Sequence, residues 1–142
     1  MDSFFWNARV YYEDTDAGGV VYYANYLKFM ERARSEWLRA LGVEQDNLMQ
    51  DMNVLFAVRS ISIDYKKPAK FNDSLIVSVE PHMIKQASIT FKQDIHREGD
   101  ETDLLTTSDV NVVCLSANDF APCAIPKELH QLIKAGEMIH AN

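Results

Sequence analysis

The sequence predicts an α+β domain, an antiparallel sheet built around one long helix. Three observations predict it. Apolar residues recur at helical spacing from about Tyr23 to Leu41, the longest such stretch in the chain. From Val54 to Leu115 the pattern changes to strand-like alternation broken by short turn signals. No internal repeat, linker or low-complexity segment divides the 142 residues, so residues 1–142 read as a single domain.

Taken in order, Ala8-Arg9-Val10-Tyr11-Tyr12 is a first strand of β-favouring residues. The long helix follows, with Tyr26, Met30, Ala33, Trp37 and Leu41 on one stripe and Leu27, Phe29 and Leu38 widening it. Arg32 and Glu36 stand at i,i+4 for an ion pair, and Gly42 occupies a helix C-cap position. Glu44 to about Met52 reads as a short second helix. Val54 to Tyr65 is a strand whose apolar phase slips at Arg59-Ser60, the sign of a bulge. Lys66 to Asp73 connects it to a strand of alternating Leu75, Val77 and Val79 that should end near Pro81. Ile89, Phe91 and Ile95 mark the next strand, and Glu98-Gly99-Asp100-Glu101 the hairpin turn after it. Leu104 to Leu115 is the last strand, with Val110, Val112 and Cys114 on one face. After a loop from Pro122, a short helix is expected from Pro126 to Lys134.

The chemistry concentrates between the first strand and the helix. There Glu13, Asp14 and Asp16 precede the pair Gly18-Gly19 and then Val20-Val21-Tyr22-Tyr23-Ala24-Asn25. Paired glycines admit positive φ and close approach. A carboxylate next to a helix start also stands beside backbone N–H groups that lack intrahelical partners. That combination suits attack on a carbonyl. Asp16 is the candidate catalyst, against the plainer reading of an acidic turn residue. Glu13 and Asp14 read as structural. A calcium loop starting at Asp14 fails, because Gly18 falls on a ligand position and Asn25 where a bidentate Glu is needed.

Net charge is -7, with 14 Lys and Arg against 21 Asp and Glu, which excludes a general nucleic-acid binder. No apolar run reaches the roughly 20 residues of a membrane span. The start of the chain lacks the basic and apolar regions of a signal peptide. Cys114 and Cys123 have no metal or redox spacing, so a cytoplasmic protein with reduced thiols is expected. His82, His96, His130 and His140 pair with no nucleophile motif and read as surface residues.

Tyr12 through Asp16, Gly18-Gly19-Val20-Val21-Tyr22, Asn25-Tyr26 and Glu31-Arg32-Ala33-Arg34 together resemble the hotdog-fold thioesterases of the 4-hydroxybenzoyl-CoA thioesterase type. The resemblance is nearest to the Tol-Pal-associated acyl-CoA thioesterases of bacteria. It extends through Ala57-Val58-Arg59, Tyr65, Pro68-Ala69, Val112-Val113-Cys114 and Ile125-Pro126-Lys127. It implies a hotdog fold, with a curved antiparallel sheet wrapped around the helix. It implies homodimers or homotetramers with active sites between subunits, and hydrolysis of acyl-CoA without metal or cofactor. By motif, Asp16 takes the place of the catalytic carboxylate, as nucleophile or general base. The backbone N–H of Tyr23 takes the place of the carbonyl-polarising donor. At Tyr23 the Tol-Pal-associated group usually carries His and the benzoyl-CoA branch Tyr. Gly18, Gly19, Val20, Tyr22 and Asn25 are the expected substrate contacts.

Arg59, Lys66 and Lys67 are candidates for the CoA phosphates, or else a solvated strand end. A carrier-protein thioester is a second substrate class, disfavoured by the acidic net charge unless a basic patch exists. A non-catalytic CoA-binding dimer, or a partner of an envelope or lipid-synthesis assembly, is the rival from another class.

Overall fold

The computed structural model describes residues 4–141, with side chains described to residue 135. Five strands form one antiparallel sheet in the order β1-β3-β4-β5-β2. They are β1 (Phe4–Arg9), β2 (Val54–Tyr65), β3 (Ser74–Ile84), β4 (Ser88–Arg97) and β5 (Leu104–Ser116). Helix α1 (Tyr26–Ala40) packs on one face, followed by the single turn α2 (Gln45–Asn47), and α3 (Lys127–Ala141) ends the chain. The α+β class and the hotdog arrangement are as expected.

The stripe predicted for α1 is its buried face: Tyr26, Phe29, Met30, Ala33, Trp37 and Leu38 all lie in the core. Leu75, Val77 and Val79 of β3 and Ile89, Phe91 and Ile95 of β4 meet them from the sheet. Trp37 stands edge-on to Phe91 at 5.1 Å between centroids. Gly42 takes φ 90° just past α1, the left-handed conformation that a helix stop requires.

Several boundaries differ from expectation, each for a local reason. β1 is Phe4–Arg9, because that run pairs with β3 from Phe4↔Val79 to Arg9↔Ser74. Beyond it, Tyr12–Asp14 turns as a 3-10 helix, with the Asp14 carboxylate accepting from Tyr11 N–H at 2.8 Å. The helix opens with a 3-10 turn over Tyr23–Asn25 and becomes α only at Tyr26. The second helix is α for one turn and π from Leu48 to Met52. β3 runs through Pro81, which sits where the register with β4 shifts and its missing N–H is tolerated. The bulge at Arg59 is present, as the register with β5 slips between Val58 and Ser60. Glu36 pairs with Arg39 rather than Arg32, and Arg39 also reaches Glu44 at 2.8 Å. The terminal helix is longer than expected, and the His140 side chain lies outside the described residues.

One core residue breaks the apolar pattern. Gln93 shares the inward phase of Phe91 and Ile95 on β4 and is fully buried. Its amide nitrogen donates to Met30 O at 3.1 Å and Ser78 O at 3.3 Å, and its oxygen accepts from Arg34 Nη1 at 2.9 Å. Burial lowers the Arg34 pKa, with Glu31 partly opposing the shift. Gln93→Leu should cost about 1–3 kcal/mol, the penalty for stranding a buried donor. Adding Arg34→Met should recover part of it. A denaturation cycle over the two single and the double variants checks this; strict additivity would show that the pair is not coupled.

Candidate active site

The acidic loop is built as a tight turn held from both sides. Thr15 bridges Val21, Asp16 N–H donates to Val20 O at 2.9 Å, and Gly19 N–H donates to Asp16 O at 3.0 Å. Gly19 has φ 79°, a conformation that disfavours residues with a Cβ. Asp16 Oδ1 accepts from Gly18 N–H at 2.8 Å, and a Cβ at Gly18 would stand 3.3 Å from that oxygen. The glycine pair therefore serves two needs, turn geometry and room for the carboxylate. Asp16 itself is exposed, with no partner for Oδ2 among the described residues.

On its outer side the loop pairs with the strap between β2 and β3. Val20 bridges Lys70, Val21 N–H donates to Ala69 O at 2.8 Å, and Phe71 N–H donates to Gly19 O at 3.1 Å. Arg97 holds the strap, donating to Pro68 O at 2.7 Å, Asp73 at 3.0 Å and Asp103 at 2.8 Å. Arg97 and then Lys67 keep the Asp103 carboxyl below its ordinary pKa.

On its inner side the loop is tied to the start of α1 by buried Asp14. Its Oδ1 accepts from Asn25 Nδ2 at 2.8 Å, and its backbone oxygen accepts from Tyr22 N–H at 3.0 Å. Asn25 is thereby buried and engaged. Tyr22 and Tyr23 are exposed, their rings 4.7 Å apart. Tyr65 Oη donates to Tyr23 O at 2.9 Å and so orients the turn. Burial, then Tyr26 and Tyr23, raise the Tyr65 pKa. Among the described residues the Tyr23 and Ala24 N–H groups have no acceptor. The arrangement thus offers a carboxylate oxygen and unpaired backbone donors at one turn.

The three expected phosphate contacts differ in their surroundings. Arg59 is the unpaired bulge residue of β2, six positions from Tyr65 or about 20 Å at ordinary strand rise. Lys67 is bonded to Asp103 at 3.1 Å, and Lys66 is exposed at the strand end. A second group of basic residues, three lysines beside a histidine, lies elsewhere. Lys85, Lys127, His130 and Lys134 line an open cleft of about 710 Å³ between the β3–β4 turn and α3. None of its lysines is ion-paired among the described residues. Sequence reading missed this cluster because its members are separated by some forty positions. A separate small cavity of about 50 Å³ beside α1 is lined by Trp37, Phe56 and Phe91 together with Arg34 and Gln45. Among the described residues no helix is long and apolar enough to cross a membrane.

The thioesterase superfamily matches residues 18–103. The chain is 44% identical over 128 residues to an acyl-CoA thioesterase YbgC of Haemophilus influenzae, covering 90% of this chain and 92% of that one. An acyl-CoA thioesterase YbgC of Helicobacter pylori is 33% identical over 89% of this chain and 97% of its own. A probable thioesterase from Bartonella henselae superposes with TM-score 0.76 at 30% identity, over 89% of this chain and all (100%) of that one.

Asn25→Asp would set a second carboxylate against the buried Asp14 oxygen. Like charges at that distance raise the folded-state pKa above its unfolded value. The variant should therefore be destabilised at neutral pH and regain stability as pH falls through the raised pKa. Denaturant midpoints from pH 7 to pH 4, referenced to wild type, check the sign.

Proposed function

The chain belongs to the thioesterase superfamily, and we propose that it hydrolyses acyl-CoA thioesters with chemistry carried by the turn at Asp16. The carrying observation is that, among the described residues, Asp16 Oδ2 has no partner and the Tyr23 and Ala24 N–H groups at the head of α1 have no acceptor. In this reading Asp16 takes a proton from water as the water oxygen bonds to the thioester carbon. The N–H groups stabilise the oxyanion, whose collapse breaks the carbon–sulfur bond. The acid and CoA thiol leave, the proton returning from Asp16 to the sulfur. Direct attack by Asp16, with water then cleaving the anhydride, uses the same groups and is the second route. Neither route calls on a metal or cofactor.

The CoA phosphates are assigned to the cleft lined by Lys85, Lys127, His130 and Lys134 in place of Arg59, Lys66 and Lys67. Three lysines with no ion pair among the described residues, with His130 beside them, suit a polyanion on an acidic molecule. Within one chain this cleft and Asp16 belong to opposite ends of the sheet. β3 alone separates them by ten residue steps, about 33 Å at ordinary strand rise. Strand β2 is an open edge of twelve residues. Pairing two copies antiparallel along β2 brings the cleft of one to the Asp16 end of the other. The active unit in this reading is a homodimer, alone or within a tetramer, whose sites are completed across the edge. The acyl group lies beside α1, and the same basic cleft gives an acidic carrier protein a place to dock.

Asp16→Asn should lower turnover at least about a hundredfold with KM nearly unchanged, since asparagine keeps the turn hydrogen bond but neither base nor nucleophile. A thiol-release assay over a panel of acyl-CoAs measures it and separates turnover from mere binding. Near-wild-type hydrolysis would remove Asp16 from the chemistry.

Shared sites make a further prediction. Mixing Asp16→Asn protein with a Lys85→Ala, Lys127→Ala, Lys134→Ala variant and allowing subunit exchange should restore about a quarter of wild-type activity, because each mixed two-fold dimer keeps one intact site. Activity that stays at the sum of the two separate variants would place cleft and carboxylate in independent sites.

A further inference from the structure

The two cysteines are unpaired thiols far from the acidic loop, and the hydrolysis described above uses neither. They are not randomly placed. Beyond the point where β4 begins, the segment around Pro122 returns antiparallel along the end of β5, with Leu115 bridging Pro122. That register sets Cys114 directly opposite Cys123, whose N–H donates to Cys114 O at 3.0 Å. Directly opposed antiparallel residues stand about 4.5–5.5 Å apart at Cα, inside the range that a disulfide spans. The two Sγ atoms are 3.8 Å apart, so both side chains already leave the same face of the pair.

We propose that Cys114 and Cys123 form a site of covalent modification, a dithiol that a hydroperoxide closes to an intramolecular disulfide on the wall of the basic cleft. The order of events follows from burial. Cys114 is fully buried, and burial, then the contact with Cys123, pushes its thiol up to about 12. Cys123 is only half-buried and meets the oxidant first. Its thiolate attacks a peroxide oxygen, the O–O bond breaks, and Cys123 becomes a sulfenic acid as an alcohol, or water from hydrogen peroxide, is released. Cys114 Sγ then attacks Cys123 Sγ, the S–O bond breaks, and water leaves with the Cys114 proton. Two thiols have lost two electrons and two protons, and the peroxide has taken them up.

Closure has a consequence for the cleft because the residues next to Cys123 are its wall. Ala124, Ile125 and Pro126 line it, Ile125 N–H bonds to Gln86 O at 2.8 Å, and Cys114 N–H bonds to Ala87 O at 2.8 Å. Bringing the sulfurs from 3.8 Å to the bond length of about 2.05 Å draws this wall toward β5. The effect on substrate rests on the assignment of CoA to that cleft. Oxidation should then act on binding rather than on chemistry, whose groups lie at the other end of the sheet.

The test is to treat the full chain with hydrogen peroxide, quench, and map its peptides without reduction. The expected product links the Cys114 and Cys123 peptides within one chain, lacks two hydrogens, melts several degrees higher because a loop has been closed, and reverts with dithiothreitol. Cys123→Ser and, independently, Cys114→Ala should each abolish the link. Sulfinic or sulfonic acid on Cys123 without the link, or a link between chains, overturns the dithiol. With the link formed, KM for acyl-CoA should rise about threefold or more while kcat is kept, the pattern of lost uniform binding. An unchanged KM overturns the coupling to the cleft. Failure to hydrolyse any acyl-CoA in the reduced state would instead overturn the thioesterase reading, and the peptide map stands apart from that result.

Discussion

A single buried carboxylate organises the functional end of this molecule. Asp14 is only 5% exposed and makes no ion pair among the described residues. Such a group persists in a core only when its lone pairs are filled. They are filled by Tyr11 N–H on one side and the Asn25 amide on the other, and the Asp14 backbone oxygen takes Tyr22 N–H. These bonds fix the entry to the acidic loop, the exit from it and the head of α1 relative to one another. As a result, the segment that carries Asp16 is held to the one bearing the Tyr23 and Ala24 N–H groups, which have no acceptor among the described residues. The exposed groups owe their placement to a hidden one.

The same logic recurs twice at larger scale. Gln93 carries a polar tie from the sheet into α1, satisfying Met30 O and Arg34 in the middle of an apolar layer. Arg97 gathers Pro68, Asp73 and Asp103 and so holds the strap against which the loop pairs. Polar networks of this kind are stabilising only when complete, since each member left alone incurs its full desolvation cost. They make the helix and the loop a rigid frame for groups that must be held close to a reacting carbonyl.

Hydrolysis of a thioester asks little more than this frame offers. The thioester carbon is already electrophilic, so one oriented carboxylate and backbone donors can suffice without a triad. In this reading the polyanionic part of the substrate is held by lysines outside the loop that carries the carboxylate. The basic cleft stands at the far end of the sheet, and the open edge of β2 offers the way to bring the two together. Dimerisation in this reading is part of the site rather than an addition to it.

The fold was legible in the sequence because it follows from local periodicity. The stripe from Tyr26 to Trp37 could only be a buried helix face, and Leu75, Val77 and Val79 could only be one face of a strand. The acidic loop was legible too, since glycines and acids there are contiguous. Its internal roles were half legible: Asp14 read as structural, but nothing local marked Asn25 as its partner, because that bond is made only when the chain turns back on itself. Gln93 shares the period of Phe91 and Ile95, but only the folded core supplies the Met30 and Arg34 partners that let a polar side chain stay there. Lys85 and Lys134 share a cleft only because α3 comes to lie beside the β3–β4 turn, and Cys114 and Cys123 are neighbours only through antiparallel return of the chain. Sequence by itself determined the elements and the contiguous turn, because those depend on residues a few positions apart. Tertiary structure alone decided which distant polar groups meet, because burial and cross-strand register depend on the whole sheet.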